Sequence, residues 1–77
     1  MGDNEGFREI RRSADVSQGE LSKESRVNRQ RLSYFECGYL ELTAEESRAV
    51  QEALRRIVER RVARLKSVLE DRESVSA

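Results

Sequence analysis

The side chains best suited to specific recognition lie on one face of a helix that the sequence predicts over residues 29–36. They are Arg29, Gln30, Ser33 and Tyr34. An arginine presents a fork of donors that suits the O6 and N7 acceptors of guanine, and a glutamine suits the N6 and N7 edge of adenine. Residues 26–35 also contain three arginines and no acidic residue. We therefore expect this face to contact bases, although a solvated helix face is the alternative and Tyr34 is equally suited to lie along a nucleic-acid backbone.

The sequence contains few residues that are suited to catalysis or metal binding. The 77 residues include no His and a single cysteine, Cys37, which excludes a structural zinc site and an internal disulfide. The chain has no pairing of nucleophile and base and no cofactor fingerprint, and it is too small to enclose a substrate pocket. We predict a protein that is not an enzyme and that uses no cofactor, metal or small-molecule ligand. Cys37 is interpreted as a bystander thiol rather than a redox switch.

Composition favours a soluble, helix-rich chain. Charged residues make up 39%, and no apolar run approaches the roughly 20 residues that cross a bilayer. Residues 1–5 are acidic where a signal peptide is basic, so we expect a cytoplasmic protein without membrane contact. Lys+Arg and Asp+Glu balance at 15 each, which removes the basic excess typical of nucleic-acid binders. Any binding of nucleic acid must therefore depend on local arrangement.

Capping residues predict two short helices joined by a tight turn. Ser17 is a good N-cap for a helix over 18–24, and Glu20 completes a capping box. Asn28 is an N-cap for the helix over 29–36, which Gly38 ends by permitting a left-handed backbone. A helix-turn-helix uses this arrangement to place its second helix in the major groove of DNA.

Two further helices complete a small helix-turn-helix bundle of four helices, which is an all-α fold. Apolar spacing predicts the first helix over 7–14, with Arg11 on its surface. Thr43 and Glu46 form a capping box for a long C-terminal helix that contains neither Gly nor Pro up to about residue 72. The predicted organisation is a flexible N-terminus over 1–5, a helix-turn-helix domain over 6–57, a helical extension over 58–72 and a flexible tail over 73–77.

Residues 7–54 resemble the phage repressor and Cro type of helix-turn-helix, also called the XRE family. The motifs that carry the resemblance are Val16-Ser17-Gln18 with Glu20-Leu21, the pair Leu32-Ser33, and Glu36 two residues before Gly38. Members of the family usually have an apolar residue at the position of Ser25 and glycine at that of Arg26. We therefore expect Arg26 to take a left-handed backbone or to reshape the turn. Most members also break after the equivalent of Leu54 and add a fifth helix, which this sequence does not.

The resemblance implies roles for particular residues. The four side chains of the 29–36 helix match the positions that reach base edges. Gln18, at the positive end of its helix, matches a phosphate contact, and the same role is expected of Lys23, Asn28 and Arg31. Arg11 and Glu36 match two positions that form a structural ion pair.

An apolar stripe continues along the last helix beyond the part that can pack on the domain. A helix packed on its own head explains the apolar residues up to Ile57 but leaves the later ones exposed. We predict a dimer interface formed by Leu54, Val58, Val62, Leu65, Val68 and Leu69. Residues 55–66 hold six basic side chains against Glu59 alone, and this basic band is expected to face water or an anion.

These expectations together describe a transcriptional regulator. It would bind double-stranded DNA sequence-specifically as a homodimer, through the 29–36 helix, and would act as a repressor on a palindromic operator. A restriction-modification controller protein is a rival within DNA binding. From another class, the alternative is a helical protein-interaction adaptor or antitoxin-like partner that uses the C-terminal stripe.

Overall fold

Four helices make up the fold. The structure is a computed structural model that describes the backbone of residues 3–76 and the side chains of residues 6–71, and this part of the chain contains no strand. The helices are α1 (Asp3–Ser13), α2 (Gln18–Ser25), α3 (Arg29–Glu36) and α4 (Ala44–Ser76). The predicted all-α class with a long C-terminal helix is confirmed, and the predicted bounds of α3 match those observed.

Both outer helices are longer than the sequence predicted. The N-terminal helix begins at Asp3 rather than at residue 7, and α4 ends at Ser76 rather than near residue 72. Acidic residues in a first turn suit the positive end of the helix dipole, and no Gly or Pro interrupts α4. The segments predicted to be flexible are therefore helical over 3–5 and 73–76, while residues 1, 2 and 77 lie outside the described part.

The caps at the start of α2 and α3 fix the ends of the two short helices. The Ser17 hydroxyl accepts from the backbone N–H of Glu20, and the Glu20 carboxylate accepts from the N–H of Ser17, both at 3.0 Å. At the start of α3, Asn28 Oδ1 accepts from the N–H groups of Gln30 and Arg31. These reciprocal bonds satisfy backbone donors that a helix N-terminus otherwise leaves unpaired.

Hydrogen bonds of polar side chains hold the turn between α2 and α3. Arg26 takes the left-handed backbone expected of it, with φ of 65°. Ser25 is buried, and its hydroxyl accepts from the N–H of Val27 at 3.2 Å. The Ser22 hydroxyl donates to the Val27 carbonyl at 2.6 Å. These bonds stabilise the turn and offset the steric cost of the left-handed backbone at Arg26.

The core lies where α2, α3 and the first half of α4 meet. Its buried apolar residues are Val16, Leu21, Val27, Leu32, Val50, Ala53, Leu54 and Ile57. Phe7, Leu42 and Val58 pack at its edge, and Leu40 is half-buried. Leu54 is only 7% exposed because it packs in the core of the head, so the free chain offers little of its surface to the predicted dimer interface.

The second half of α4 extends beyond this core. The radius of gyration is 15.4 Å, against about 11.5 Å for a compact chain of this length. The longest dimension is 54 Å. We call residues 6–57 the head and residues 58–71 the overhang.

Candidate nucleic-acid interface

The third helix buries one side and exposes the other. Leu32 is fully buried, and Glu36 is 4% exposed beside it. On the outer side Arg29 and Gln30 are exposed, Tyr34 is 43% exposed and Ser33 is half-buried. The four residues predicted to contact bases therefore share an accessible surface, which we call the α3 face.

Two tyrosines arrange part of the α3 face. Gln30 Nε2 donates to the Tyr34 hydroxyl at 3.1 Å, one helical turn away. The Tyr34 ring meets that of Tyr39 edge to face, with centroids 6.2 Å apart. This contact limits the positions open to the Tyr34 ring and, through it, to the Gln30 amide. Sequence reasoning missed Tyr39, which follows the left-handed Gly38 and is 79% exposed.

A buried ion pair anchors the end of α3 to α1. Arg11 Nε and Nη2 donate to the two Glu36 carboxylate oxygens at 2.7 and 2.8 Å, and the side chains are 10% and 2% exposed. Arg11 Nη1 also donates to the Val16 carbonyl at 2.8 Å. This is the pair that the family resemblance implied. Burial by itself raises the pKa of Glu36, but hydrogen bonds from Arg11 and then Gln18 outweigh burial and leave that pKa below its usual range.

Gln18 belongs to the same internal network. Its Nε2 donates to Glu36 Oε1 at 2.9 Å, which ties the start of α2 to the end of α3. The sequence assigned this side chain to a DNA phosphate. In the free protein the residue is half-buried and one donor of its amide is bonded to a carboxylate, and the phosphate contact stays a prediction.

Arg31 also pairs with another residue of the chain, although its side chain is partly exposed. Its Nε and Nη2 donate to the two Glu46 oxygens at 2.8 and 2.7 Å, in the two-bonded geometry that favours arginine over lysine. Glu46 is the capping-box residue of α4 and also accepts from the N–H of Thr43. Hydrogen bonds from Arg31 and then Thr43 lower the pKa of Glu46. In the free protein the charge of Arg31 is thus paired with Glu46, and its phosphate contact stays a prediction.

The other two predicted phosphate contacts differ from each other. The Asn28 oxygen is occupied as the cap of α3, which leaves its amide donors for a ligand. Lys23 is exposed and forms no ion pair with the described residues. It lies on α2, in the lining of a groove that also includes Glu20 and Arg64.

The basic band of α4 folds partly onto α2. Arg56 and Arg60 donate to the two oxygens of Glu24 at 3.0 and 2.6 Å. Hydrogen bonds from Arg60 and then Arg56 lower the pKa of Glu24. These two arginines thus face both solvent and an anion, as expected of the band, and the anion is a carboxylate of the head.

Arg61 makes a third contact of this kind. It pairs with Glu20 and donates to the carbonyl of Asp15 at 2.7 Å. Asp15 has a left-handed φ of 59° just after the end of α1, and Arg61 supplies a donor to its carbonyl. These contacts dock the first turns of the overhang against α2, while Arg55, Arg64 and Lys66 are exposed.

Three comparisons with known proteins bring no further constraint. No family model, no curated protein and no solved structure matches this chain. Among the described residues no helix is both long and apolar enough to cross a membrane. The described surface features that could meet a partner are the α3 face and the exposed stripe of the overhang.

Proposed function

We propose that this protein is a cytoplasmic, sequence-specific DNA-binding regulator, a binding protein rather than an enzyme, that acts as a homodimer and represses transcription by occupying a palindromic operator. One observation carries the proposal. Arg29, Gln30 and Tyr34 project from the outer side of a helix whose inner side is fixed by Leu32 and Glu36. A rigid helix that offers a fork of donors next to an amide fits the way a major groove presents its base edges.

The electrostatics of the turn support this proposal. Arg26 and Arg29 are both exposed and lie three residues apart. Residues 26–35 contain no carboxylate. Glu36, the next acid along the chain, is buried and neutralised by Arg11. The turn and the α3 face therefore carry positive charge that no neighbouring carboxylate in this stretch offsets.

The internal partners revise which residues would touch the DNA backbone. Gln18 and Arg31 are bonded to Glu36 and Glu46, so the exposed cations Lys23 and Arg26 are the more accessible phosphate contacts. Two such contacts per protomer give four per dimer. Because each neutralised phosphate contributes about −0.9, log K against log salt should have a slope of about −4.

Selection from a random duplex library with the purified full chain tests this function. We expect enrichment of a palindrome whose half-sites lie about one DNA turn, roughly 34 Å, apart, and binding to it with the slope just given. The absence of any enriched sequence, or measurable binding with a slope near zero, would contradict the proposal.

The exposed stripe of the overhang favours a second candidate function. Val62, Leu65, Val68 and Leu69 are each about half or more exposed. If the protein were a protein-interaction adaptor, these residues would bind a different chain and the α3 face would be ordinary surface. A stoichiometric complex formed without DNA, by a chain that selects no duplex, would favour this candidate.

A further inference from the structure

An open apolar groove lies between α1 and α4, beside the start of the overhang. Its volume is about 620 Å³, and its apolar lining is formed by Phe7, Ile10, Leu54 and Val58. Gln51, Arg55 and Glu59 line its remaining sides. Ile10 is 61% exposed in this lining, so the head leaves a large apolar side chain without cover.

Helical spacing places the groove and the exposed stripe on one continuous surface. Val58, Val62, Leu65 and Leu69 follow one another at intervals of four, three and four residues. This is the spacing of a seam along which two helices pack. Val58 belongs to both features, since it lines the groove and begins the seam. We call the groove and this seam together the α1/α4 surface.

We propose that the α1/α4 surface binds a second copy of the chain with the two α4 helices antiparallel. The inference rests on the proposed function only in taking a second copy as the occupant; the groove and the orientation are new. When the pair is centred between Val62 and Leu65, Val58 lies opposite Leu69 of the partner subunit. That leucine then enters the groove, next to Ile10, and each overhang covers the other copy's head. In a parallel pair the two Leu69 side chains meet each other, and both grooves stay open.

Two charged residues beside the seam select the antiparallel orientation. Glu59 follows Val58 and Lys66 follows Leu65, so both lie on the same flank of the seam. Both are exposed, and neither forms an ion pair with the residues that the structure describes. In the antiparallel pair Glu59 lies next to Lys66 of the partner subunit, and the two-fold axis repeats that contact. A parallel pair brings Lys66 next to Arg61 of the partner subunit, which is a contact between like charges.

Charge exchange at these two positions tests the orientation by sedimentation of the full chain without DNA. Glu59→Lys and Lys66→Glu should each raise the dimer dissociation constant about tenfold, because each creates two repulsive contacts. The double variant that carries both changes should regain dimerisation close to the wild type. A mixture of the two single variants should form a heterodimer more stable than either homodimer, since both flanks then pair opposite charges. Circular dichroism checks that each variant is helical.

The groove is tested by a separate pair of variants. Ile10→Ser should weaken the dimer at least tenfold, whereas Tyr39→Ser, which removes an even more exposed apolar side chain outside the groove, should not. A dimer that Ile10→Ser leaves unchanged overturns the groove as a docking site.

A stronger dimer with Lys66→Glu alone overturns the antiparallel orientation, because only a parallel pair gains from that change. A wild-type chain that is monomeric at high micromolar concentration overturns the inference as a whole. Library selection reports DNA binding separately, so failure of this interface and failure of the proposed function are distinguishable.

Discussion

The head and the overhang differ in how completely they satisfy their own side chains. In the described part of the chain no buried side-chain nitrogen or oxygen lacks a hydrogen-bond partner, and the head even gives its buried Arg11 and Glu36 a two-bonded contact. The overhang leaves Leu65 63% exposed and Leu69 60% exposed. The head therefore pairs its own buried polar groups, whereas the overhang leaves its apolar stripe exposed.

The first prediction breaks the head. Arg11→Ala leaves the Glu36 carboxylate buried without a cation, which costs about 3 to 5 kcal/mol of folding free energy. A core of this size supplies only about 3 to 5 kcal/mol, so much of the variant should be unfolded at 25 °C in urea or thermal titrations followed by circular dichroism. Arg12→Ala, an exposed arginine on the same helix, is the matched control and should change the free energy of unfolding by less than about 0.5 kcal/mol.

The pH dependence of stability in the wild type and in Arg11→Ala sharpens that prediction. In the wild type the pKa of Glu36 lies below its usual value of 4.5, so its contribution to stability is present at neutral pH and is lost as the pH falls through the lowered pKa. In Arg11→Ala the carboxyl is buried without its cation and takes up a proton more readily. The stability difference between the two proteins should therefore narrow below about pH 4.5. A difference that stays constant with pH would show that the loss comes from packing rather than charge.

The second prediction concerns substitutions in the overhang that weaken the proposed dimer and leave the head folded. Leu65→Glu with Leu69→Glu places four charges in the proposed seam of a dimer and should raise its dissociation constant at least a hundredfold, about 2.7 kcal/mol. The helical content of the protein and the unfolding transition of the head should be unchanged. Ala63→Glu with Ser67→Glu adds the same charge to exposed positions on the other side of α4 and should leave the dimer unchanged. Equal effects of the two double variants would show that charge alone, and not the stripe, controls association.

The third and smallest predicted effect lies where head and DNA would meet. Glu46→Gln keeps an oxygen that can accept from the Thr43 N–H but removes the negative charge that holds Arg31. The released arginine should add one phosphate contact per protomer and make the slope of log K against log salt more negative by about 2. Glu45→Gln, which removes the same charge from an exposed neighbour, should leave the slope unchanged. An unchanged slope in Glu46→Gln would mean that Arg31 stays away from phosphate even when released.

The sequence predicted best those features that local chemistry determines. The caps at Ser17 and Asn28, the left-handed Gly38 and the bounds of α3 each depend on a few neighbouring residues. The Arg11–Glu36 pair spans 25 residues and was available only through the family resemblance. No local sequence pattern predicted the contact between Arg31 and Glu46, which lie 15 positions apart.

One long-range contact did leave a signal in the sequence. Glu20 and Glu24 lie one turn apart on α2, as Arg56 and Arg60 do on α4, so each helix presents a charged row to the other. Pairing the two acidic residues of α2 with the two arginines of α4 would have predicted that part of the basic band contacts the head. The burial of Leu54 also had a signal in the sequence, because Leu54 lies in the apolar stretch up to Ile57 that packing on the head explains.

The most direct measurement of the central claim compares Arg29→Ala and Gln30→Ala with the wild type on the selected duplex and on an unrelated duplex of equal length. Both variants should lose about 1 to 3 kcal/mol of binding free energy on the selected duplex and almost none on the unrelated one, because these side chains read bases rather than phosphates. Arg12→Ala serves as the matched loss of charge away from the α3 face. Equal losses on both duplexes, or no loss on either, would contradict base recognition by α3.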